Sequence, residues 1–93
     1  MAEVLLRFAA PLRSRDGVEY EARACSAPIA DGRWEAWIEF HPTEAGASLA
    51  TSRETTQPNH ADVLYWATGL SRVYLEGAFE RAVTTGDSAR GIA

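Results

Sequence analysis

Trp34-Glu35-Ala36-Trp37-Ile38-Glu39-Phe40-His41 alternates with a period of two: Trp34, Ala36, Ile38 and Phe40 on one side, Glu35, Trp37, Glu39 and His41 on the other. An extended strand turns such a pattern into one apolar and one polar face, whereas a helix would scatter the same residues round its circumference. Upstream, past the turn signal Ala30-Asp31-Gly32, Val18, Tyr20, Ala22 and Ala24 alternate with Glu19, Glu21 and Arg23. Past a second turn signal, Arg15-Asp16-Gly17, Val4, Leu6, Phe8, Ala10 and Leu12 alternate with Glu3, Arg7 and Arg13. Three consecutive strands joined by short turns predict an antiparallel meander.

The turns also set the register. A two-residue Asp-Gly loop would pair even positions with odd ones and set an apolar face beside a charged one, because a slip of one residue reverses every side chain. A three-residue loop preserves parity, with Gly17 and Gly32 in the left-handed conformation that glycine tolerates. The expected partners are then Ala24 with Ile38, Ala22 with Phe40, Arg23 with Glu39, Cys25 with Trp37, Leu12 with Tyr20 and Arg13 with Glu19. Apolar residues meet apolar ones and opposite charges face each other. Pro28 cannot donate to a ladder and marks a bulge or the end of its strand.

Beyond a loop at residues 42–47, Leu49 to Thr56 reads as a polar fourth strand at an edge, stopped by Pro58. Asn59, with Asp62 three residues on, is an N-cap signature. Val63, Trp66, Ala67, Leu70, Val73, Tyr74, Gly77 and Ala78 follow at helical spacing. Gly69 is either a C′ glycine followed by a second helix capped by Ser71, or a glycine tolerated inside one helix. The fold class is therefore α+β: a three- or four-stranded antiparallel meander covered on one face by a C-terminal helix that is kinked or broken near Gly69. Residues 1–83 make a single domain, and Thr84 to Ala93, small and polar, a tail.

The 93 residues, 46% of them apolar, suffice for one core. A formal charge of −4 argues against nucleic-acid binding, which requires a basic face. No apolar run reaches the length of a membrane-spanning helix. The acid-free, Arg-bearing start from Val4 to Arg15 faintly suggests a transit peptide, but its alternation reads as a strand. The single Cys25 precludes an internal disulfide and fits a reducing, cytoplasmic setting.

His41 and His60 lie on different elements without carboxylate or thiol partners at ligand spacing, so neither metal nor cofactor is expected. Two places could carry function. The run Arg53-Glu54-Thr55-Thr56-Gln57-Pro58-Asn59-His60 leads into a helix N-terminus, where unpaired N–H groups favour anions; Arg53, Thr55, Thr56 and His60 are its candidate ligand-binding residues. Trp37 stands on the polar sheet face, where a large aromatic serves either as a contact anchor, with Arg23 and Glu39 beside it, or lies flat over Cys25 and the arginine stems.

The strings Trp34-Glu35-Ala36-Trp37-Ile38-Glu39-Phe40, Arg53-Glu54-Thr55-Thr56-Gln57-Pro58-Asn59, Tyr65-Trp66-Ala67-Thr68-Gly69-Leu70 and Val73-Tyr74-Leu75-Glu76-Gly77-Ala78 resemble a family of short bacterial proteins across residues 18–83. That resemblance implies lineage and no activity. The order of strand, Asp-Gly turn, aromatic strand and later helix is also similar to HicB-type antitoxin domains, although the loop from His41 to Gly46 departs from theirs and no DNA-binding segment follows the helix. The function expected is a non-catalytic interaction module that works as a homodimer or with a protein partner. The alternatives are a binder of small anions, or an enzyme, using Arg53 to His60, and an antitoxin-type domain.

Overall fold

The computed structural model describes residues 2–85. Strands β1 (Glu3–Arg7), β2 (Leu12–Arg13), β3 (Glu19–Pro28), β4 (Trp34–Pro42), β5 (Leu49–Ala50) and β6 (Thr55–Gln57) form one antiparallel sheet, and helices α1 (His60–Thr68) and α2 (Arg72–Thr85) follow. β1 and β2 both pair with β3, while β5 and β6 both pair with β4. The sheet is thus a four-lane meander whose two outer lanes are each interrupted.

β3 and β4 pair over nine positions, from Tyr20–Pro42 to Pro28–Trp34, and these include Ala22–Phe40, Arg23–Glu39, Ala24–Ile38 and Cys25–Trp37. The first hairpin sets Leu12 beside Tyr20 and Arg13 beside Glu19. Both registers follow from parity. In the first loop Gly17 has φ +88, and its N–H donates to the Ser14 carbonyl at 3.0 Å. In the second loop, a turn at Ala30–Gly32, Asp31 (φ 64, ψ 30) joins Gly32 (φ 72) in the left-handed region. Asp is one of the few residues that tolerate this conformation. Pro28 ends β3 and causes no bulge. The Ile29 N–H donates to the Arg33 carbonyl at 2.8 Å, so Pro28 takes the alternate ladder position, where its nitrogen faces away from β4 and needs no donor.

The outer lanes depart from the simple alternation. A register shift between Val4 and Leu6 pairs Val4 with Cys25 and Leu6 with Ala24, which turns Val4 onto the open face at 45% exposure, away from Leu6, Phe8 and Leu12. One extra residue in a bulge reverses the facing of everything before it. In the fourth lane the ladder breaks after Ala50 and resumes at Thr55, and Thr51 Oγ1 meanwhile accepts the Ile38 N–H at 3.1 Å.

Helix packing depends on the break. α1 ends at Gly69, whose φ of −92 is not left-handed, and Ser71 Oγ then caps α2 by accepting the Tyr74 N–H at 3.1 Å. A single helix would keep one phase from Val63 to Ala78. The break resets it: α1 buries Val63 and Ala67, whereas α2 buries Leu75, Ala78, Phe79 and Ala82. Val73, which the unbroken pattern places inward, is consequently 77% exposed. The main core joins Leu12, Ala22, Ile38 and Phe40 of the sheet to Leu75, Ala78, Phe79 and Ala82, with Trp66, Leu70 and Tyr74 packed around it. Phe79 lies edge-on to Phe40 with centroids 5.1 Å apart, and tilted against Tyr20 at 5.2 Å. α2 continues through Thr85, so the tail expected from Thr84 begins within this helix, and its residues 86–93 lie outside the described residues.

Phe40 is fully buried at the centre of this contact. Truncation removes both its transfer free energy and its packing, so Phe40→Ala is expected to lower unfolding stability by about 3–5 kcal/mol, measured by urea denaturation.

Candidate functional site

The sheet has two faces of different chemistry. The covered face, built from even-numbered positions of β3 and β4, lies under the helices. The open face carries Glu21, Arg23 and Cys25 on β3 opposite His41, Glu39 and Trp37 on β4. Trp37 does not stand out as a free anchor there: it is only 3% exposed and packs with Cys25 and Ala50. Its indole N–H donates to Glu39 Oε2 at 2.8 Å. It is thus buried against Cys25 and not presented to solvent. Burial, followed by the charge of Glu39, pushes the Cys25 thiol up to about 12, so it is a packing residue and a poor nucleophile.

The polar side chains of the same face are joined to one another. Arg23 Nε donates to Glu21 Oε1 at 2.6 Å, and Arg53 Nε to Glu35 Oε1 at 3.2 Å. Glu21 is held below its usual range, first by its hydrogen bond from Arg23 and, beyond that, by the charges of Arg23, Arg7 and His41. Glu39 is the hub, taking Trp37 on one oxygen and His41 Nε2 on the other at 2.7 Å. His41 Nδ1 in turn lies 2.9 Å from Ser48 Oγ. Sequence reading missed Ser48. It precedes an edge strand whose register follows from the β4 pairing and not from any alternation of its own.

The four candidate anion-binding residues are not brought together. β6 sets Thr56 opposite Glu35 on the open face and Thr55 opposite Ala36 on the covered face. Arg53 stays on the open side, bonded to Glu35 and to Thr56 Oγ1 at 3.4 Å. His60 lies across the sheet's other face, its ring edge-on to Trp34 at 4.7 Å and its Nε2 at 3.0 Å from Glu3 Oε2. The N-terminus of α1 is served by its own chain: Asn59 Oδ1 accepts the Asp62 N–H at 2.9 Å, and Asp62 supplies the first turn with its negative charge.

A second polar cluster joins the fourth lane to α2. Glu54 accepts from the Tyr74 hydroxyl, and from Arg81 Nη2 at 2.8 Å on each oxygen. Burial would raise the Glu54 carboxyl, but hydrogen bonds from Tyr74, Arg81 and Thr51 outweigh it and hold the group below its usual value. Burial, then the adjoining Glu54, push the Tyr74 phenol up to about 12. The cluster pins the helix to the sheet edge. Its acid and base satisfy each other, which makes it a structural clamp.

Among the described residues, no group of three His, Cys, Asp or Glu side chains could hold a metal ion. No helix among the described residues is long and apolar enough to cross a membrane. No protein-family model matches the chain, and neither do any curated protein or solved structure.

Two titrations follow from the clamp. A carboxyl whose folded value is depressed adds stability that is present above its unfolded value, near 4.5, and is lost as pH falls through the folded value. The stability gap between wild type and Glu54→Gln, measured by urea denaturation, is therefore expected to narrow as the pH drops below about 4.5. In ultraviolet titration, one tyrosine of the wild type is expected to ionise near 12 and to move towards 10 in Glu54→Gln.

Proposed function

We propose that this chain is a small cytoplasmic protein-interaction module, and that it meets a protein partner or a second copy of itself through its helical layer. The observation that carries this reading is the exposure of Tyr65 at 80% and Val73 at 77%, on the two helices that flank the Gly69–Ser71 link. Leu64, beside Tyr65, adds further apolar surface at 39%. Scattered exposed aliphatics are ordinary. A tyrosine presented almost entirely to solvent is the residue type that dominates binding energy at interfaces, since it adds large area at little entropic cost.

The sheet face makes the weaker interface. Trp37 is occupied by Cys25, Ala50 and Glu39, and the Arg23 and Glu39 expected beside it are engaged with Glu21 and with His41. A partner there would first have to break pairs that already satisfy one another. The net charge of −4 favours a protein partner over nucleic acid. The buried free thiol of Cys25 supports a reducing compartment.

Tyr65→Glu and Val73→Asp alter solvent-facing positions, and each is expected to change unfolding stability by no more than about 0.5 kcal/mol. Sedimentation velocity for self-association, and pull-down from host lysate for a partner, should show assembly by the wild type and its loss in the double variant. A chain that stays monomeric and captures nothing, or that assembles equally well with both substitutions, removes the helical layer from consideration.

A further inference from the structure

The open face holds a hydroxyl, an imidazole and a carboxylate in one hydrogen-bonded line. Ser48 Oγ is 2.9 Å from His41 Nδ1, and His41 Nε2 is 2.7 Å from Glu39 Oε1. An ionised carboxylate can only accept, so the imidazole proton sits on Nε2 and Nδ1 is left to accept the Ser48 O–H. The other Glu39 oxygen is fixed by the Trp37 indole at 2.8 Å. The carboxylate is therefore anchored at both ends before it orients the ring, and a nucleophile, its base and an orienting third group stand in sequence.

Backbone register builds this line. β4 pairs Glu39 with Ala50 and Phe40 with Leu49, and one step further along the same ladder sets His41 opposite Ser48. Alternation then places Glu39, His41 and Ser48 on the open face together. Ser48 is half-buried, and the residues just before it, Ala45, Gly46 and Ala47, are small. β5 is an edge strand, and the backbone N–H groups that alternate with its ladder donors face outward. Such groups are the donors that stabilise an oxyanion in acyl transfer.

We propose that Ser48 is an activated nucleophile for acyl transfer from small, unhindered carboxylic esters, with His41 as its base and Glu39 as a positioning residue. Ser48 Oγ bonds to the acyl carbon while its proton passes to His41 Nδ1. The tetrahedral intermediate then expels the ester alcohol, which takes that proton from His41. Water, deprotonated by the same nitrogen, cleaves the acyl-serine to release the acid and restore the hydroxyl. Glu39 stabilises the imidazolium formed in each half of the cycle. A half-buried serine at a sheet rim suits short acyl groups.

The test takes the full chain and a fluorophosphonate, which phosphonylates activated serines, with 4-nitrophenyl acetate as the turnover probe. Mass spectrometry of the wild type should locate the label at Ser48, ahead of every other serine. Ser48→Ala should lose both label and turnover. His41→Gln should slow labelling at least about 100-fold, the usual contribution of a positioned general base. Glu39→Gln should lower kcat for the acetate with KM unchanged when the rate is taken per folded molecule, the fraction folded being measured by circular dichroism, as loss of an interaction made only in the transition state does. Labelling of Ser48 no faster than that of the other serines in the wild type overturns the proposal without recourse to any variant. So does labelling that His41→Gln leaves unchanged.

Discussion

The pairing of β3 with β4 is the constraint on which the rest of the molecule depends. Nine consecutive positions fix which side chains look towards the helices and which look away. The core needs Ala22, Ala24, Ile38 and Phe40 on one side, and a slip of one residue would put Glu39 and Glu21 there instead. Burying an unpaired carboxylate costs more than a domain of this size can absorb. The two loops of odd length are what make the correct register the only one in which both strands agree. Positive φ at Gly17, Asp31 and Gly32 follows from that requirement.

Small residues on β3 set the next layer. Ala22 and Ala24 leave a shallow floor, and large side chains from elsewhere fill it: Phe40 from the neighbouring strand and Phe79 from α2. Close approach of a helix to a sheet at this point needs α2 in its own phase. The break at Gly69–Ser71 allows it, and the cost of interrupting the helix is offset by the Ser71 cap and by Arg72, which donates to the carbonyls of Ala10 and Pro11 at 3.1 and 3.0 Å. The same reset exposes Val73. The apolar surface of the helical layer and the tight packing beneath it are therefore two results of one backbone event.

The central hairpins and the α+β class were legible because local alternation, turn chemistry and charge pairing all pointed to one register. The bulge at Leu5 was not, since Leu5 itself is apolar and the alternation reads equally well straight through it. Nor was the fate of Trp37. Sequence assigns it to the polar face correctly, but whether an aromatic on such a face projects or lies down depends on neighbours from other strands, here Cys25 and Ala50. Of the four residues near the N-terminus of α1, Arg53 and Thr56 meet on the open face, while alternation along β6 turns Thr55 to the covered face and His60 lies against Trp34 there. Ser48 was the reverse case: seven residues from His41 along the chain and in hydrogen-bond contact with it.

On the open face Trp37 is buried and packs with Cys25 and Ala50. The same face carries side chains whose polar ends are tied in pairs, Glu21 with Arg23, Glu35 with Arg53 and Glu39 with His41. Each pair is partly solvated and taken singly contributes little to stability. Their weight here is chiefly geometric, since each bond fixes the orientation of the groups that make it. Glu39 is held at both oxygens, one by the Trp37 indole and the other by His41. A carboxylate fixed in this way cannot rotate away from His41, and the imidazole is held in one orientation towards Ser48. The hydrogen bond that satisfies the buried Trp37 indole thus also fixes the carboxylate that orients His41 towards Ser48.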